Sequence, residues 1–94
     1  MSEPVPTLKC IIAWSDRRNL CDLVRRALAD VGEADAIRLN EDSWVVSTSA
    51  EPPELRDLVS ARLDREESVL VFEFERWSGS GPGVDSHWLL RRGH

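Results

Sequence analysis

Leu8–Asp16, LKCIIAWSD, is an apolar run that ends in a polar corner and opens directly into a helical pattern. On an extended chain Cys10, Ile12 and Trp14 fall on one face, and Ile11 and Ala13 on the other, with Lys9 and Ser15 at the ends. A strand that is apolar on both faces is one covered on both faces, which reads as a central strand; a lone helical layer covers only one face, so something else covers the second. Its polar end is the first place to look for chemistry.

Outward from that stretch, the chain alternates strand and helix patterns. Residues 1–7 hold Pro4 and Pro6 and read as a loose lead-in, without the basic and apolar regions of a signal peptide. Ser15 or Asp16 is placed to cap a helix, since a short side-chain oxygen accepts from the free N–H groups of a first turn. Leu20, Val24, Leu28 and Val31 then form one apolar stripe and Gly32 a natural stop, which predicts a helix over about 17–31. Ala34–Asn40 reads as a strand, with Ala36, Ile37 and Leu39 packing, and Asn40-Glu41-Asp42 as a hairpin turn. Ser43–Ser49 is the next strand, with Trp44, Val46 and Thr48 sharing a face.

Residues 49–53 open a second helix, where proline is tolerated because its missing N–H would be unpaired anyway. Leu55, Leu58, Val59 and Leu63 make its stripe, and Arg65-Glu66-Glu67 reads as a solvated exit. Ser68–Glu75, SVLVFEFE, is the clearest strand in the chain. Leu70, Phe72 and Phe74 alternate there with Val69, Val71, Glu73 and Glu75, and the second set turns acidic and wet towards its end. A flexible Gly-Ser loop over 78–83 leads to a tail, 84–94, whose Val84–Arg92 is a helical turn or a strand.

This order predicts an α+β chain in one domain, 1–94: a ferredoxin-like βαββαβ pattern. Its four-stranded antiparallel sheet would carry both helices on one face and its first and third strands in the centre. Ile11, Ala13 and their neighbours make the opposite face too apolar to stay wet. A homodimer packing through that face, or strands pairing across chains, would cover it, and the tail could reach across the same interface. The competing expectation is that the tail folds back on its own sheet.

Three phrases extend this reading: DSWVVSTS (42–49), EPPELRDLVSARLD (51–64) and ESVLVFEFE (67–75). Together with a first strand that ends in an aromatic and a polar corner, they resemble the CRISPR-associated Cas-two-like family and its SinR-like branch. VapD-type toxins are similar in fold. The resemblance spans about Leu8–Glu75 and implies a ferredoxin-like homodimer. In some members it implies metal-dependent cleavage of RNA or DNA; others are non-catalytic scaffolds in spacer acquisition. The active members place an aspartate directly after the aromatic. Here Ser15 follows Trp14 and Asp16 comes one residue later, a shift that would turn a strand side chain to the other face.

The candidate site follows from that corner. Asp16 is the candidate catalytic residue and metal ligand, Mg²⁺ being a cation that takes oxygen ligands. One carboxylate per chain makes a thin site, so two copies would have to share the ion. Arg17, Arg18, Arg25 and Arg26 are the candidate phosphate contacts. The plainer alternative makes Asp16 a helix cap and the arginines a solvated face. A net charge of -5 argues against indiscriminate nucleic-acid binding. His87 and His94 lack a partner at metal spacing, Cys10 and Cys21 read as reduced thiols, and Trp77 and Trp88 are candidates for a partner surface.

No apolar run approaches a membrane span, and a cytoplasmic location is the default expectation. The expected function is a small homodimeric interaction or scaffold protein, with a protein partner, in a CRISPR or mobile-element defence setting. The alternatives are a weak Mg²⁺-dependent nuclease and a small-molecule sensor domain.

Overall fold

The strand that begins the pattern, β1 (Thr7–Trp14), has a neighbour on each side. The computed structural model describes residues 5–31 and 35–91. Along the chain β1 is followed by α1 (Cys21–Ala29), β2 (Asp35–Arg38), β3 (Ser43–Thr48), α2 (Pro52–Ser60), β4 (Ser68–Phe74) and α3 (Ser86–Arg91). The expected stop at Gly32, the start of the second strand at Ala34, residues 1–4 and His94 lie outside the described residues. The sheet order is β2-β3-β1-β4 with every pair antiparallel, so β1 and β3 are central as the pattern predicts.

Parity along β1 decides what each face meets, and it corrects one expectation. Ile11 and Ala13 lie on the helix-covered face, not the bare one. They pack with Trp44 and Val46 of β3 against Leu20, Val24 and Ala27 of the α1 segment and Leu55 and Val59 of α2. Fully burying side chains of this size contributes roughly 1.5–3 kcal/mol each. The helix-free face is therefore the Leu8, Cys10, Ile12, Trp14 side. The sequence could not separate the two because both are apolar.

Half of that second face is covered from within the chain. Leu8 and Val45 pack with Trp88 and Leu89 of α3, bordered by Ile37, Leu39, Phe74 and Trp77. The tail thus folds back on its own sheet, as a helix. Trp88, expected at a partner surface, is only 7 % exposed. Gly81, at φ 107°, makes the reversal ahead of α3, a backbone region where L side chains are strained.

The first helix is shorter than predicted. It begins at Cys21, whose N–H donates to Asn19 Oδ1 at 2.7 Å, while Ser15 Oγ accepts from the Arg17 N–H at 3.1 Å within a loop. Neither Ser15 nor Asp16 caps it. α2 opens as predicted, with Pro52 and Pro53 in its first turn and the Glu51 N–H donating to Glu54 Oε1 at 3.3 Å. Among the described residues, no helix is long and apolar enough to cross a membrane.

Candidate functional site

Loop 15–20, between β1 and α1, carries the predicted catalytic corner, and tertiary ion pairs hold it. Arg17 reaches Asp64 at 3.1 Å. Arg18 grips Glu67 with both arms, Nε to Oε2 and Nη2 to Oε1, each at 2.6 Å. The carboxylate also accepts from the Asp64 N–H at 2.8 Å, and its side chain is 0 % exposed. Glu67 is therefore not part of a solvated exit. It is an anchor that ties loop 15–20 to the turn after α2. A buried carboxylate needs this many donors, because desolvation would otherwise favour its neutral form.

The Arg18 fork, helped by the Asp64 N–H, lowers the Glu67 carboxyl from 4.5 to about 2. A carboxyl lowered on folding stabilises the fold above its unfolded pKa and loses that contribution as pH falls through the folded value. The Glu67 contribution is whole above about pH 4.5 and gone below about 2. Glu73 shifts in the same direction, through the Thr7 hydroxyl and then Lys9. Glu67→Gln is expected to flatten the acid limb of stability in this window and to loosen loop 15–20. Urea midpoints at about pH 3 and pH 7 check this: the wild-type midpoint falls more between the two than the variant's does.

The other candidates scatter. Asp16 is exposed and, among the described residues, joins none of the ion pairs that occupy its neighbours. Arg25 pairs with Asp22 at 2.7 Å on the exposed side of α1. Arg26 is exposed and lines a groove of about 390 Å³ with Arg18, Asn19, Asp22, Leu23 and Arg62. Arg62 in turn holds Asp30 at 2.7 Å. The fold thus brings Arg18, Arg26 and Arg62 to one groove, leaves Arg17 and Arg25 outside its lining, and balances Arg18 and Arg62 with acids. His87 is exposed. Among the described residues, no three His, Cys, Asp or Glu side chains gather as a metal site.

Two features escaped the sequence reading. Lys9 lies on the helix side of β1 with its side chain 2 % exposed. Its ammonium donates to Thr7 Oγ1 and to the Thr48 carbonyl, both at 2.6 Å, and sits 3.5 Å from Glu73. Lys9 and Glu73 are direct partners in the β1–β4 register, so pairing the two strands on paper would have shown them opposite each other.

The second feature is an apolar corner on the helix-free face, beside the part that α3 covers. Leu70 stands opposite Ile12 and Phe72 opposite Cys10, while Trp14 is two residues further along β1 from Ile12. Leu70 is 51 %, Trp14 44 % and Phe72 42 % exposed. Two aromatics and a leucine side by side, each about half exposed, present on the order of 300 Å² of apolar surface. Cys10, in the same row, is buried, and burial pushes its thiol pKa up, which makes it inert.

No family model, no curated protein and no solved structure is similar enough to this chain to count as a match.

Proposed function

We propose that this chain is a small homodimeric adaptor, of the kind the Cas-two-like and SinR-like resemblance implies, and that it self-associates through the apolar corner of its helix-free face. The observation that supports this reading is the joint exposure of Trp14, Leu70 and Phe72 beside a half of the same face that α3 already covers. A contiguous apolar patch rimmed by polar groups marks a contact surface. A second copy is the simplest partner, because a two-fold joins one patch to itself. Scaffold function then lies in what the paired chains present, and no reaction is required of them.

Replacing Leu70 and Phe72 together by lysine tests this. Both side chains are half exposed, so the folded chain tolerates the change, while lysines from the two chains would face one another across the contact. Light scattering is expected to give a two-chain mass for the wild type and a one-chain mass for the variant. A variant that keeps the two-chain mass overturns the role of this corner.

One observation favours the nuclease alternative: Asp16 is exposed and outside the ion pairs that engage Arg17 and Arg18. On that reading two copies share Mg²⁺ through paired Asp16 carboxylates, and the ion supplies an activated water and charge stabilisation at phosphorus. Asp16→Ala is expected to abolish Mg²⁺-dependent cleavage of single-stranded RNA or DNA if the reading holds. Absence of cleavage by the wild type, or cleavage that survives in Asp16→Ala, eliminates it.

A further inference from the structure

The two edges of the sheet are built differently. β2 is four residues long, with Asp35 and Arg38 at its ends. Shortness and charge are the usual ways to blunt an edge against pairing with another chain. β4, at the other edge, is seven residues long and carries no charge before Glu73. No strand pairs with its outer side among the described residues. Two grooves lie between β4 and α2, of about 280 and 480 Å³, and both are lined by Arg56 and Val69. An open strand edge beside a helix is a geometry that accepts one more extended strand.

We infer that the strand this edge accepts is β4 of a second copy, antiparallel and centred on Phe72, so that two sheets join into one of eight strands. This rests on the self-association proposed above and names its geometry: the two corners meet side by side across the joined edges, with Leu70 and Phe72 in the row between the chains and Trp14 one strand in. The register follows from the sequence of β4 itself. A two-fold through Phe72 sets Phe72 opposite Phe72 and Leu70 opposite Phe74 on the helix-free face, an apolar row across both chains. On the helix side it sets Val71 opposite Glu73 and Val69 opposite Glu75. The second copy's Glu75 then arrives at the grooves beside Val69, where Arg56 and Arg65 are among the lining residues.

The neighbouring registers break this apolar row or meet like charges. Centring on Val71 puts Phe74 opposite Ser68, and centring on Leu70 puts Phe72 there. Centring on Glu73 puts that carboxylate opposite its own copy. Like charges directly opposite are destabilising. The Phe72 register also separates the two Ser68 positions, beside the ends of β1, by about 25 Å at the strand rise per residue. Two Asp16 carboxylates at opposite ends of such a sheet cannot share one ion, so this dimer and the paired-aspartate nuclease exclude each other.

Disulfide trapping tests the register. Cys10 lies opposite Phe72 within the same sheet, so the background is Cys10→Ala with Cys21→Ser. Directly opposed residues of an antiparallel pair stand about 4.5–5.5 Å apart at Cα, within disulfide reach. In that background, Phe72→Cys is expected to give a covalent dimer on mild oxidation. A mixture of Leu70→Cys and Phe74→Cys chains is expected to give the mixed dimer, and Leu70→Cys alone none. If the unmodified chain has a two-chain mass but Phe72→Cys does not trap, or Leu70→Cys traps alone, the β4 register is wrong and self-association stands. A chain that stays single overturns both.

Discussion

Trp44→Ala is expected to remove about 4 kcal/mol of stability, the usual range for deleting a large core aromatic being 3–5 kcal/mol. Trp44 sits on central strand β3, opposite Ile11 of β1 and Arg38 of β2, in the cluster that joins the sheet to both helices. Only 4 % of it is exposed. Its removal opens a void beneath α1 that Ile11 and Val46 cannot fill from fixed strands. A domain of this size has roughly 5–15 kcal/mol in total, so the variant stands near its unfolding threshold. Thermal melting followed by circular dichroism checks this, with Trp44→Phe as the milder control.

The second large effect belongs to Lys9. Lys9→Ala is expected to cost about 3 kcal/mol, or a melting temperature lower by about 15 °C, because a buried stem is deleted and buried acceptors lose their donor. The Thr48 carbonyl and the Thr7 hydroxyl both accept a hydrogen bond from Lys9 Nζ, and Glu73 completes the group. Lys9→Met keeps most of the stem and removes only the donor. It is expected to lose about half as much, and that split separates packing from hydrogen bonding. Equal losses in the two variants would mean that the ammonium alone accounts for the effect.

The element order and the central place of β1 and β3 could be read from residue pattern, because local alternation and stripe spacing carry that information. What could not be read depends on partners far away in sequence. Ser15 and Asp16 are both good caps by local chemistry, yet α1 begins only at Cys21, because Arg17 and Arg18 are held by Asp64 and Glu67, 47 and 49 residues on. Glu67 follows Arg65 and Glu66 in a charged triplet, and nothing local marks which of its two acids is buried. In β1 the core face was ambiguous because Ile11 and Ala13 alternate with Cys10, Ile12 and Trp14, leaving parity without contrast.

The candidate site was legible in part. Asp16 lies exposed at the strand end where the pattern put it. Arg17 and Arg18, chosen as phosphate contacts, are engaged by acids of the same chain. For exposed pairs such as Arg17–Asp64 the energy is small, about 0–1 kcal/mol, so an incoming phosphate could displace them. The buried Glu67 is a firmer partner for Arg18. Leu70 and Phe72 read as strand residues, but their exposure depends on α3 docking over Leu8 and Val45 and not over them, a placement that no alternation encodes.

The measurement that bears most directly on the account is sedimentation velocity of the unmodified chain across about 5 to 200 µM at neutral pH. Complexes that bury small interfaces dissociate in this range, so the transition should be visible. A weight-average mass that rises with concentration towards two chains is the expected result. A constant one-chain mass at the highest concentration would contradict it.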